Sequence, residues 1–238
     1  MYILVTFQDV RDYYGHNNGP SRGQVKARLE KASGERCLMV PYQEFDMSVV
    51  EEFHPSAMAF SGFAEPGEAK GFIGVAEVLK KSEIPMICFC GSHQLIDGCL
   101  TYDFGKSSDW KPEPMRKIGP DEEYPRFAKG DPYDRSEYFV ASGFFPIRQV
   151  KADPIFEGIP SPMIMKCAHY CEIKNMPAGF ELLASGGHCR IEMIKHSSRV
   201  LYGTQFHPEG YDEPWTHGKK LLENFAAIAR NYWKEKKR

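Results

Sequence analysis

Two stretches of the chain carry residue types that could perform nucleophilic chemistry. In Pro85-Met-Ile-Cys-Phe-Cys-Gly-Ser-His-Gln94, two cysteines stand two residues apart at the end of an apolar run. In Val200-Leu-Tyr-Gly-Thr-Gln-Phe-His-Pro-Glu-Gly210, only a proline separates a histidine from a glutamate. A thiol attacks as its thiolate, and an imidazole within reach can take the proton and later deliver it to a leaving amine. A carboxylate behind the imidazole fixes its tautomer and stabilises the imidazolium, and Pro208 between them would rigidify that turn. Set against this, a cysteine after an apolar run is often a small core residue, and His-Pro-Glu alone is a turn with two polar groups.

Of the two thiols, Cys90 is better placed. It closes the run and precedes Gly91 and Ser92, with His93 to Cys99 continuing as a helix whose first-turn amides would stabilise a thiolate. Cys88 lies one pleat repeat deeper and should be more buried.

Positioning these groups requires strands that end at a common edge, and the chain has the pattern for it. Short β-rich apolar runs at Tyr2–Phe7, Arg36–Val40, Ala57–Phe60 and Met86–Cys90 alternate with helical patterns at Gln24–Lys31 and Gly71–Lys81. That alternation predicts an α/β fold with a mostly parallel central sheet flanked by helices. Further strands are expected at Phe139–Gln149, Met163–Cys167, Cys189–Ile194 and Val200–Gln205, and a terminal packing helix at Trp215–Trp233. Residues 103–137 are rich in Pro, Gly, Asp and Lys with little periodicity, and read as an insertion over a single domain spanning residues 1–238.

Composition narrows the partners. Lysine and arginine total 30 against 32 acidic residues in 238, so nothing attracts nucleic acid or an anionic membrane globally. No run approaches a membrane span, and seven cysteines without disulfide spacing fit a reducing compartment, so a cytoplasmic location is expected. There is no Cys-x-x-Cys pair, so although Cys167, His169 and Cys171 cluster in sequence, neither a metal nor any other cofactor is expected. Cys37, Cys99 and Cys189 read as core thiols, and His93 and His196 as surface groups.

Taken together, Cys88-Phe-Cys-Gly-Ser-His-Gln94 and Gln205-Phe-His-Pro-Glu209 resemble the nucleophile elbow and distal motif of the class I glutamine amidotransferases. Ala59-Phe-Ser-Gly-Phe63, Ala168-His-Tyr170, Pro177–Ala184 and Gly218–Phe225 extend the likeness. The resemblance implies the family's flavodoxin-like fold, with Cys90, His207 and Glu209 as a catalytic triad that hydrolyses glutamine through a γ-glutamyl thioester. It implies an oxyanion hole of backbone N–H groups from Gly62, Phe63 and Gly91, and substrate contacts from Gln94, Ala168, His169, Tyr170 and Cys171. Because no synthetase segment is present in the 238 residues, ammonia would pass to a synthetase or acceptor protein in trans. Two alternatives stand beside this reading: a γ-glutamyl hydrolase or peptidase using the same triad, and an inactive binding or regulatory homologue. Cys88, Ser92 and Phe63 replace family glycines, and each side chain could crowd a tight turn. The Gln8–Gly23 loop and the 103–137 insertion are expected near the carboxyl edge of the sheet.

Overall fold

A computed structural model describes residues 1–7, 21–63, 71–106, 110–122 and 137–237. Residues 8–20 of the first loop, and 107–109 and 123–136 of the insertion, lie outside the described residues.

Among the described residues, nine strands form one sheet. Five run parallel: β1 (Tyr2–Thr6), β2 (Cys37–Pro41), β3 (Ala57–Phe60), β4 (Met86–Phe89) and β9 (Leu201–Thr204). The others, β5 (Ala141–Gln149), β6 (Met163–His169), β7 (Phe180–Gly186) and β8 (Met193–His196), continue it through antiparallel pairings, giving the order β2-β1-β3-β4-β9-β8-β7-β5-β6. The helices are α1 (Arg22–Ser33), α2 (Met47–Phe53), α3 (Phe72–Lys81), α4 (Gly91–Thr101) and α5 (His217–Lys236).

The parallel half is buried on both faces, which is why its strands are continuously apolar rather than alternating. Along β1, Tyr2 and Leu4 join a core with Val25 and Leu29 of α1 and Leu221 and Phe225 of α5. Ile3 and Val5 point the other way, into a core with Val75, Val78 and Leu79 of α3 and Leu95 of α4. Local chemistry sets the helix starts: Ser21 and Gln24 form a reciprocal capping box on α1, and Asp46 caps α2.

The expected α/β sheet is present, and the alternation marked its parallel half. The antiparallel half is less regular. The expected strand at Cys189–Ile194 is instead a turn followed by β8, because the Gly186 N–H closes onto the Cys189 carbonyl at 2.8 Å. Neither α2 nor β7 was assigned from the sequence. His93 is not a surface group: it is fully buried on α4, and a Cβ on Gly203 would come within 2.5 Å of its Nδ1. His196, at the end of β8, is intermediate in exposure. Cys37, Cys99 and Cys189 are buried, as core thiols should be.

Candidate active site

The carboxyl ends of β3, β4 and β9 lie side by side in the sheet, and each delivers one part of the site. Beyond β4, Cys90 adopts φ 50° and ψ −108°, a backbone region that non-glycine residues seldom occupy. Two bonds of its own backbone and a neighbouring serine hold it there. The Cys90 N–H donates to the Thr204 carbonyl at 2.7 Å, its carbonyl accepts from the Gln94 N–H at 3.1 Å, and Ser92 secures the turn from inside. Ser92 Oγ accepts the Phe89 N–H and donates to the Phe60 carbonyl, each at 2.8 Å, so it ties the ends of β3 and β4 together. Ser92 therefore fastens the elbow rather than crowding it. Cys88 is a wholly buried core thiol whose pKa burial pushes well up, as its deeper position suggested.

Beyond β9, His207 and Glu209 flank Pro208 in a short 3-10 turn. His207 Nδ1 lies 2.7 Å from Glu209 Oε1, and the carboxylate is 1% exposed. Burial pulls the imidazolium pKa down, but Glu209, helped by Cys90, outweighs burial and holds it at about 10. The turn is pinned from two directions: the His207 N–H donates to the Lys166 carbonyl at 2.7 Å, and the Arg28 guanidinium donates to the Glu209 carbonyl. Arg28 also lies over the Tyr211 ring, 4.2 Å from its centroid.

Beyond β3, Gly62 fits against both of these groups. A Cβ built on it would stand 3.2 Å from Cys90 Cβ and 3.0 Å from His207 Cε1, so only glycine leaves the approach open. Phe63 turns its ring away into an aromatic cluster with Phe7 and Phe72, at centroid distances of 5.1 and 5.8 Å. That ring packs on the Cα of Gly91, where any Cβ would come within 2.8 Å of it. The crowding expected of Phe63 thus falls on Gly91, which has no side chain to meet it. Arg22 Nη2 donates to the Gly62 carbonyl at 2.9 Å.

The expected substrate segment lies opposite. Cys90 Sγ is 3.9 Å from the Ala168 carbonyl. Gln94 Nε2 donates to the Cys171 carbonyl at 2.9 Å and to Gln205 Oε1 at 3.0 Å, and Gln205 Nε2 reaches Cys90 Sγ at 3.5 Å. Residues of the insertion are stitched to this segment: the Met115 N–H donates to the Tyr170 carbonyl, and the Glu172 N–H to the Glu113 carbonyl. The described part of the insertion is therefore anchored to the segment beside the site.

Of the residues that the sequence nominated, Cys90, His207, Glu209, Gly62, Gln94 and the Ala168 and Cys171 carbonyls are linked by contacts, and Phe63 packs on Gly91; the His169 ring instead faces His188, and Tyr170 is tied by its carbonyl to Met115. Sequence reasoning missed Arg22, Arg28 and the contact of Gln205 with the thiol. Gln205 stands inside a quoted motif, whereas the arginines carry no local signal.

A family model described as glutamine amidotransferase class-I matches residues 21–229. Over 152 residues the chain is 31% identical to the glutamine-hydrolyzing GMP synthase subunit of Archaeoglobus fulgidus, covering 64% of this chain and 66% of that protein. The protein of the same name from Methanosphaera stadtmanae is 25% identical over 218 residues, covering 91% of this chain and 97% of that one. Among solved structures, a candidate GMP synthase subunit from Thermoplasma acidophilum superposes with a TM-score of 0.69 at 21% identity, covering 100% of this chain and 98% of the other. The Trypanosoma brucei CTPS glutaminase domain with bound acivicin gives 0.66 at 17% identity, over 96% and 94%. With that match across most of its length, and with the paired motifs meeting at adjacent strand ends, this chain belongs to the class I glutamine amidotransferase family.

Proposed function

We propose that this chain hydrolyses the side-chain amide of glutamine at Cys90 and supplies the ammonia to a synthetase partner in trans. The observation that carries this reading is the meeting of a strained cysteine elbow with a His207–Glu209 pair, its carboxylate buried, at neighbouring strand ends. His207 holds a proton, and the reacting form of Cys90 is its thiolate. The thiolate attacks the amide carbonyl carbon, and the tetrahedral oxyanion is held by N–H groups of Gly62, Phe63 and Gly91. As the C–N bond breaks, His207 passes its proton to the leaving ammonia, and a γ-glutamyl thioester remains on Cys90. Neutral His207 then takes a proton from water, whose oxygen attacks the thioester, and glutamate departs as the thiol is restored. Glu209 keeps the imidazole oriented throughout.

Gln94 and the backbone from Ala168 to Cys171 are assigned to the substrate's α-amino and α-carboxylate groups. The chain acts as a single family domain, and its seven free cysteines suit the cytoplasm. A separate synthetase accords with the names of the relatives, which are those of subunits, and GMP synthesis is the reaction those names specify.

The test supplies purified protein with glutamine and, separately, with γ-glutamyl peptides, with and without a candidate synthetase partner. Glutamate and ammonia are measured beside a Cys90→Ser control. Release from glutamine that the control lacks supports the proposal; release confined to the peptides would make the chain a γ-glutamyl hydrolase. No turnover under any of these conditions would leave only the inactive homologue.

A further inference from the structure

Beside Ala168, whose carbonyl lies 3.9 Å from Cys90 Sγ, the antiparallel half of the sheet gathers a second group of reactive side chains. Cys167 and His169 stand two residues apart on β6, so both face the same side, and both are buried. His188 and Glu192 come from the turn between β7 and β8. One ligand atom from each of the four lies within 4.8 Å of every other.

Their polar atoms are unsatisfied. Glu192 is wholly buried, and neither of its carboxylate oxygens has a hydrogen-bond partner among the described residues. His169 Nε2 and His188 Nε2 are also buried without one. His188 Nε2 lies 2.9 Å from Glu192 Oε1, close enough for an ion pair when His188 is protonated. That pair still leaves His169 Nε2 and Glu192 Oε2 buried without a partner, which is unfavourable in a dry place, and a single cation among the four residues would serve both.

The surroundings are those of a ligand set. His169 Nδ1 lies 3.1 Å from the Cys171 carbonyl, which places the ring proton on Nδ1 and leaves the Nε2 lone pair for the group. Metal-binding imidazoles use this outer hydrogen bond to fix their tautomer. Gly186 leaves the space free: a Cβ there would stand 2.9 Å from Glu192 Oε1 and 3.3 Å from His188 Cε1. The Phe145 and Phe139 rings lie 4.6 and 6.1 Å from the His188 ring and form an apolar wall.

We propose that Cys167, His169, His188 and Glu192 bind one zinc-type divalent cation. One thiolate, two neutral imidazoles and one carboxylate are the donor set of a tetrahedral zinc ion, and four protein ligands make the site closed and structural. Binding releases the Cys167 thiol proton to solvent. The absence of Cys-x-x-Cys spacing hid this group, because its members come from β6 and a turn that meet only in the fold. The Cys171 carbonyl that orients His169 also accepts from Gln94, which reaches Cys90 through Gln205. The ion therefore steadies one end of the polar chain that closes on the thiol.

Chelator-stripped, full-length protein titrated with Zn(II), and in parallel with Co(II), tests the assignment. It predicts one equivalent per chain, a thiolate-to-cobalt charge-transfer band with tetrahedral d–d absorption, and a Tm that rises with Zn(II). Cys90→Ser should keep all three, whereas Cys167→Ser should lose the charge-transfer band. His188 is the least buried member, and His188→Ala should weaken Zn(II) binding by more than the roughly 10–100-fold cost of losing an outer partner. If Cys167→Ser fails to fold, His188→Ala carries the comparison. No tetrahedral cobalt spectrum in the unsubstituted protein would overturn the proposal, as would a spectrum that Cys90→Ser abolishes and Cys167→Ser retains.

Discussion

The Arg22 guanidinium donates to the Gly62 carbonyl at 2.9 Å, across 40 residues of sequence. A trans peptide is planar, so fixing the Gly62 C=O also fixes the Phe63 N–H, which points the opposite way. Arg22 is thereby a positioning residue for a proposed oxyanion donor. Arg22→Ala should lower kcat for glutamine hydrolysis by about 10-fold or more, below the 10²–10³-fold cost of deleting a donor outright, with little change in KM. Steady-state kinetics decide this, and a raised KM at unchanged kcat would place the arginine's effect on substrate binding instead.

How much of this site could be read beforehand depends on where each part lies along the chain. Cys90, His207, Glu209 and Gly62 follow recognisable strand ends, and a nucleophile just past an apolar run carries its own signature. Arg22 and Arg28 do not: their partners lie 40 and 181 residues away, and either would read as an ordinary surface cation of a helix. His93 was misjudged because helical spacing alone does not reveal that the first turns of α4 are covered, with residues 91 to 96 all buried. Phe63 and Ser92 looked like departures from a glycine pattern, and only packing revealed where their side chains go. The antiparallel half was the least legible part, since turns such as Gly186 to Cys189 set its register rather than any run of residues.

Ser92→Ala should destabilise the fold without altering the chemistry of the triad directly. It would remove the acceptor of the Phe89 N–H and the donor to the Phe60 carbonyl in a fully buried place. An unsatisfied buried group costs about 1–3 kcal/mol, which a urea unfolding midpoint would register. An unshifted midpoint would mean that the clamp is dispensable.

Phe63→Ala should cost about 3–5 kcal/mol of stability, because its ring fills the cluster with Phe7 and Phe72. Hydrolysis per folded molecule should change far less, since only the backbone of Phe63 is assigned to the oxyanion. A stable variant with lost activity would reverse that assignment.

The His207–Glu209 pair makes a pH prediction of definite sign. Its folded pKa of about 10 lies above the ordinary 6.5. The stabilisation is therefore complete below about 6.5 and is lost as pH rises through about 10. Unfolding midpoints should fall across that alkaline range, and less steeply in Glu209→Gln, whose His207 has lost its largest upward influence. Hydrolysis should decline over the same limb, as the proton destined for ammonia is lost. Identical slopes in the two proteins would contradict the pairing.

Peptide mass mapping after treatment with a glutamine-like electrophile tests most directly whether Cys90 is the nucleophile. The protein should take up one label on Cys90, with excess glutamine slowing the reaction and Cys90→Ser abolishing it. Cys88, buried beneath the elbow, should stay unmodified. Label found on Cys88, or glutamine hydrolysis persisting in Cys90→Ser, would contradict the account.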